Sequence, residues 1–159
     1  MDFDTAVALV VDIETGQLTN TPGDPGGLTK YGISQHAYPR LDIANLTLQD
    51  AKLLYQKDYW EPVNGYQEIP SNLYLPLFEC AVNQGVGAAI MLLQAAVHAV
   101  PDGIMGPATL LAVRQTDREE LEARFAAKRA VAYTRLENWH IAGEGWLYRM
   151  FKMAQANQA

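Results

Sequence analysis

Three side chains near the start of the chain carry groups that could act together: the carboxyls of Glu14 and Asp24 and the hydroxyl of Thr29. Phe3, Val7, Val10 and Glu14 stand at i, i+4, i+7 and i+11, the spacing of a single helix face. A carboxyl at the end of such an apolar face is held partly out of water. That penalises its charged form and raises its pKa, as a general acid near neutral pH requires. The alternative is a solvated glutamate at a helix end, where its charge meets the negative pole of the macrodipole. Asp24 lies within "TPGDPGG", a run of turn-forming residues that Thr29 follows closely. A loop returning beneath the helix would set the second carboxylate and the hydroxyl opposite Glu14, with Gly26 and Gly27 letting the backbone approach a bound molecule. Such a grouping suits glycoside hydrolysis, in which one carboxyl protonates the leaving oxygen and the other stabilises positive charge or orients water. The competing reading gives Asp24 and Thr29 to turn capping.

The elements that must position these groups are mostly helical. The pattern predicts a helix from Phe3 to Glu14 stopped near Gly16, then a loop or short hairpin from Gln17 to Gly32. Ser34 is placed to open a short helix ending near Pro39, and Thr47 with Asp50 has capping-box spacing ahead of "LQDAKLLYQKDYW". Ser71 or Asn72 would cap a helix ending at Gln84, with Gly85 as its stop. A buried helix follows from Gly87 to Val100, halted by Pro101. "DGIMG" reads as a turn, with Pro107 at the first position of the next helix. Thr116 and Glu119 read as the cap of a long amphipathic helix to about Asn138, with Leu121, Phe125, Ala132 and Leu136 on its inner face. A last helix, Glu144 to about Ala156, would bring Trp146 and Phe151 to the core. The expected fold is mainly α, with a small β-hairpin or loop beside the first helix.

Composition bounds the rest. With 159 residues, 49% of them apolar, the chain can bury the core of one domain or of two small lobes. Its longest stretch without a polar side chain, Val86 to Leu93, is well short of the roughly 20 residues of a membrane span, so no membrane insertion is expected. The start carries Asp2 and Asp4 where a secretory signal would be basic, and no small-residue cleavage site follows. Cys80 is the single cysteine, and His36, His98 and His140 have no ligand-like spacing, so neither a disulfide nor a metal is expected. A formal charge of −6 argues against nucleic acid as partner. The charge is uneven: residues 1–87 hold eleven acids against four bases, residues 88–159 seven against eight. Solvated faces would produce this, as would two lobes with different tasks.

The stretch "E-x-G…P-x-D-P-G-G-x-T-x-Y-G-I", built from Glu14, Gly16, Pro22, Asp24, Pro25, Gly26, Gly27, Thr29, Tyr31, Gly32 and Ile33, resembles the N-terminal signature of the glycoside hydrolase family 108 muramidases. "LYQKDYWEPV" and "LFECAVNQGVGAAIMLLQAAV" look like two further family segments. "VPDGIMGPATLLAV" and "GEGWLYRM" are similar to the helical peptidoglycan-binding region that accompanies the enzyme. The first stretch also resembles the Glu/Asp/Thr arrangement of phage lysozymes, with nine and four intervening residues here in place of eight and five. Three departures stand out: Thr15-Gly16-Gln17 replaces the family's Gly-Gly-Tyr, with one extra residue before Asp24; Glu79 stands where the family usually has Asp; and the N-terminal half is acidic for a protein expected to meet an anionic wall.

The resemblance implies a lysozyme-like fold and an endolysin-type N-acetylmuramidase that cleaves the β-1,4 bond between N-acetylmuramic acid and N-acetylglucosamine. Glu14 would be the general acid, with Asp24 and Thr29 completing the site. Substrate contacts are expected from Tyr31, Gly26, Gly27, Asn83 and Tyr59, although Tyr59 ends a helix and suits a core position as well. A catalytic region, 1–87, would pack without a linker against a peptidoglycan-binding region, 88–159. The partner is bacterial peptidoglycan, with no cofactor. The chain would be a monomer made in the host cytoplasm and released to the wall in the periplasm by a holin-type protein. The rivals are a lytic transglycosylase acting on the same bond and a non-catalytic peptidoglycan-binding protein.

Overall fold

The computed structural model describes residues 1–11, 16–20 and 27–158. They form a mainly α, lysozyme-like fold with one small antiparallel sheet. The chain divides into two compact units, Asp2–Asp58 and Tyr59–Ala159.

In the first unit, α1 runs Phe3–Val10. Asp2 caps it by accepting the Thr5 N–H at 2.9 Å, and Ala6, Val7 and Val10 are buried. The expected extension to Glu14 is not seen: Val11 is already extended (φ −117°, ψ 131°) although its N–H still reaches Val7 O. Two adjacent β-branched residues, Val10 and Val11, weaken the helix where the chain leaves it. The apolar stripe is therefore helical through Val10, and Glu14, its last expected member, lies outside the described residues.

Strands β1 (Thr29–Lys30) and β2 (Ile33–Ser34) pair antiparallel, Thr29 with Ser34 and Lys30 with Ile33. Tyr31 and Gly32 join them at φ 51° and 75°, the pair of positive values that a type I′ turn requires and that matches strand twist. A bridge to Thr19 adds a third segment, with both backbone bonds between Thr19 and Thr29 at 2.9 Å. After Ser34 the chain makes turns where a short helix was expected. Ser34 Oγ accepts the Ala37 N–H and Ser34 O accepts that of Tyr38, and Pro39 follows at once. Helix α2 (Leu48–Tyr55) starts at the expected capping box: Thr47 Oγ1 accepts the Asp50 N–H and the Asp50 carboxylate accepts the Thr47 N–H. Lys52 on α2 pairs with Asp4 on α1 at 2.7 Å.

A wide π-turn, Gln56–Trp60, precedes α3 (Glu61–Asn64). The second unit is built on α4 (Tyr74–Gln84), α5 (Val86–Ala96), α7 (Arg118–Tyr133) and α8 (Trp139–Gln158), with α6 spanning Pro107–Gln115. Leu77, Cys80, Ala81, Leu93, Leu121 and Phe125 are buried in one cluster. Helices α4 and α5 meet at Gly85 (φ 91°), and residue 87 lies in α5, inside this unit.

Several expected boundaries shift for local reasons. Helix α4 is preceded by a 3-10 turn, Ser71–Leu73, and neither Ser71 nor Asn72 caps it; the Asn72 amide instead reaches Arg118 O and Glu122 Oε2. Helix α5 ends at Ala96 because His98 takes a left-handed φ of 58° and Ala99 N–H closes on Gln94 O. The cap of α7 is Asp117, whose carboxylate accepts the Glu119 and Glu120 N–H groups at 3.0 Å. Thr116 is spent one residue earlier, donating to Ala112 O at the end of α6. Because α7 stops at Tyr133, Leu136 is 45% exposed and not on an inner face. On α8, Met150 takes the buried position and Phe151, about 100° further round the helix, is 60% exposed, so Phe151 does not join the core. Trp146 does pack, with its ring 5.5 Å from that of Tyr133.

Candidate active site

Glu14, Asp24 and Gly26 lie outside the described residues; the neighbouring turn holds Gly27, Thr29 and Tyr31. Gly27 has φ 68°, a conformation that favours glycine, and a Cβ there would meet nothing within 4 Å. Among the described residues nothing crowds the backbone on that side, as close approach of a ligand needs. Thr29 Oγ1 donates to Gly27 O at 3.2 Å, which fixes the hydroxyl against the loop and leaves its oxygen as an acceptor. The same residue is held by the backbone bridge to Thr19, so the hydroxyl sits on a tied segment.

Tyr31 is half-buried at the tip of the hairpin. Its carbonyl accepts the Tyr55 hydroxyl at 3.1 Å, which anchors the turn to α2, and Lys30 Nζ stands 5.5 Å from its ring centroid. The ring lies against Gly16, two positions after Glu14 in sequence: a Cβ on Gly16 would stand 2.9 Å from Tyr31 Cε1 and Oη. Gly32 has the same relation to Tyr55, whose hydroxyl would be 2.6 Å from an added Cβ. These contacts give two signature glycines a steric reason and set the aromatic ring beside the start of the loop.

Asn83 and Tyr59 belong to the second unit. Tyr59 is half-buried and packs against the core cluster. Asn83, near the end of α4, is exposed, but both bonds of its Nδ2 go inward, to Glu79 O at 2.7 Å and Glu79 Oε1 at 2.8 Å. A carbonyl and a carboxylate only accept, so the amide orientation is fixed by chemistry: Asn83 offers Oδ1, an acceptor, outward.

Glu79 itself is a residue whose weight the sequence did not reveal. It is fully buried, forms an ion pair with the buried Arg129, and pairs with Arg149 Nε at 3.0 Å. Arg129 donates onward to Gln84 Oε1 at 3.0 Å and Tyr133 Oη at 2.7 Å. Burial pushes the Cys80 thiol, which donates to the same Gln84 oxygen, from 9.0 up to about 12, and burial also raises the Tyr133 phenol. Arg129 and Tyr133, Glu79 and Asn83, and Cys80 and Gln84 each stand at i and i+4, the local spacings through which sequence could have exposed parts of the network. Gln94, also missed, ties the "DGIMGPAT" turn: its Nε2 reaches Asp102 Oδ1, Ile104 O and Thr109 Oγ1, and its Oε1 accepts the Gly103 N–H. Asp102, Gly103 and Thr109 therefore build that turn.

Residues 7–85 match the family described as Glycosyl hydrolase 108. Through that region the chain belongs to glycosyl hydrolase family 108. The family segment spans α1, the hairpin, α2, α3 and α4 and ends at Gly85, so it contains Glu14, Asp24, Thr29 and Tyr31. The chain also superposes on a solved structure titled "Structure of Brucella abortus SagA" with a TM-score of 0.82 at 26% identity, covering 98% of this chain and 93% of that one. No curated protein sequence matches it. At the level of family 108, the chain is a glycoside hydrolase directed at peptidoglycan. Among the described residues, no helix is long and apolar enough to cross a membrane.

Proposed function

We propose that the chain is an N-acetylmuramidase that hydrolyses the β-1,4 bond between N-acetylmuramic acid and N-acetylglucosamine. The observation that carries this reading is the family 108 match over residues 7–85, which includes every residue assigned to the reaction. Glu14 protonates the glycosidic oxygen, Asp24 stabilises the oxocarbenium-like transition state or orients water, and Thr29, whose hydroxyl oxygen can accept while it donates to Gly27 O, helps place that water. The open face of Gly27, together with Gly26, takes the glycan backbone. Tyr31 supplies a flat apolar surface for a sugar ring, Asn83 accepts a hydrogen bond from an acetamido N–H or a hydroxyl, and Tyr59 borders the glycan. The reaction needs no cofactor. In this reading residues 1–87 carry out catalysis and residues 88–159 hold the wall. The protein acts as a monomeric endolysin, made in the host cytoplasm and released to the wall by a holin-type protein.

The test is clearance of purified sacculi by wild type and by Glu14→Gln, with the soluble products weighed. Hydrated muramic-acid ends from wild type, and none from a folded Glu14→Gln, are expected. Anhydro ends would replace hydrolysis by transglycosylation; wall binding by both proteins without release of reducing ends would replace the enzyme by a binding module.

A further inference from the structure

The second unit holds a polar cleft of about 500 Å³ between the segment that leads into α4 and the junction of α6 with α7. Glu68, Ser71, Tyr74, Arg114, Thr116 and Arg118 line it. Arg114 is in the last turn of α6 and Arg118 opens α7. Neither guanidinium has an acid partner among the described residues, and three of the neighbouring acids are engaged elsewhere. The Asp117 carboxylate caps α7, Glu120 pairs with Arg124 at 2.7 Å, and Glu122 accepts from Asn72 at 2.8 Å. Glu119, next to Arg118 in the chain, forms no ion pair with it, and Glu68 within the cleft has no cationic partner among the described residues. In a chain with net charge −6, the cleft thus gathers two unpaired cations and a single unpaired anion.

We propose that this cleft is a subsite for an acidic peptide that also carries an ammonium group, and, resting on the wall substrate proposed above, that the peptide is the stem peptide of peptidoglycan. A guanidinium presents a planar fork that matches a carboxylate in two parallel bonds. Two such forks suit a ligand with more than one carboxylate, and Glu68 supplies the counter-charge for an amine on the same ligand. The hydroxyls of Ser71 and Tyr74 line the cleft as donors or acceptors for peptide amides. The glycan itself, apart from the lactyl ether of muramic acid that bears the peptide, offers neutral groups, so the cleft reads the part of the wall that the cleaved bond lacks.

The experiment titrates the full chain and the Arg114→Gln/Arg118→Gln double variant with a free stem tetrapeptide bearing its carboxylates and one amine. Parallel titrations use the same peptide with its carboxylates amidated, and inorganic phosphate. Wild type is expected to bind the free peptide at least tenfold more tightly than the amidated one, and the double variant to lose that difference while melting with wild type. In the same proteins, the ratio of kcat/KM on peptide-bearing sacculi to that on peptide-stripped glycan strands should fall about tenfold, through KM. Equal peptide affinity of variant and wild type overturns the subsite, as does phosphate displacing the peptide at comparable concentration, which would mark a general anion patch. If wild type binds the peptide but cleaves neither wall preparation, the subsite stands and the muramidase reading fails; cleavage of both without peptide binding gives the reverse.

Discussion

The ring of Tyr31 lies on the backbone of Gly16, so close that a methyl group at residue 16 would stand 2.9 Å from Tyr31 Cε1. Gly16 also has φ 52°, so two independent constraints fall on one residue. The contact joins the hairpin tip to the segment that follows Glu14 in sequence, and it explains why a glycine serves there where the next residue departs from the family pattern.

Gly16→Ala should therefore lose roughly 1–3 kcal/mol, the cost of a strained backbone position, visible as a Tm lower by about 2–4 °C for each kcal/mol in a chain of this size. The clash can be separated from the strain. Combining Gly16→Ala with Tyr31→Ala removes the ring that the methyl meets, and a double-variant cycle by thermal melting should show the two changes costing less together than their sum. Strict additivity would mean that the ring does not rest on Gly16.

The Glu79–Arg129 pair is buried on both sides and joins α4 to α7. Arg129→Met leaves a buried carboxylate held, among the described residues, by the half-exposed Arg149 and by Asn83, and should cost about 3–5 kcal/mol. Glu79→Leu with Arg129→Met removes both charges and is expected to recover most of that loss in urea unfolding. A double variant less stable than either single one would show that the Gln84 and Tyr133 bonds of Arg129, and not the ion pair, hold the helices.

Alkaline pH tests the burial of Cys80. Its folded-state pKa is raised, from 9.0 to about 12, so above pH 9 the unfolded chain loses a proton that the native chain keeps. The unfolded state then binds fewer protons, and stability is full below the unfolded pKa and falls as pH rises towards the folded one. The slope is about 1.4 kcal/mol per pH unit while only the unfolded thiol ionises, and Tyr133, raised in the same direction, steepens it above its ordinary 10.0. Urea melts at several values between pH 8 and 11 should show that decline in wild type and a shallower one in Cys80→Ala. Identical slopes would remove Cys80 from the account.

The sequence by itself determined the features that rest on local rules. The Thr47–Asp50 capping box, Pro107 at the start of α6 and the Gly85 stop each depend on residues within a few positions of one another, so spacing is enough to read them. The turn formers between Gln17 and Gly32 likewise announced a loop or short hairpin, though not that Ser34 would belong to its second strand, and the motif spacing pointed to the family. Tertiary structure alone decided which glycine supports which ring, since Gly16 meets Tyr31 and Gly32 meets Tyr55 across gaps set by packing. It also decided that Glu79 lies at the centre of a charged network with Arg129 and Arg149, partners 50 and 70 positions away, and that Asn83 consequently presents an acceptor. It turned Phe151, expected in the core, outward and Met150 inward. Hydrophobic periodicity is a one-dimensional signal that sets the face of a helix only to within a residue or so. The pairing of distant polar groups is fixed by desolvation, which exists only once the chain has closed around them.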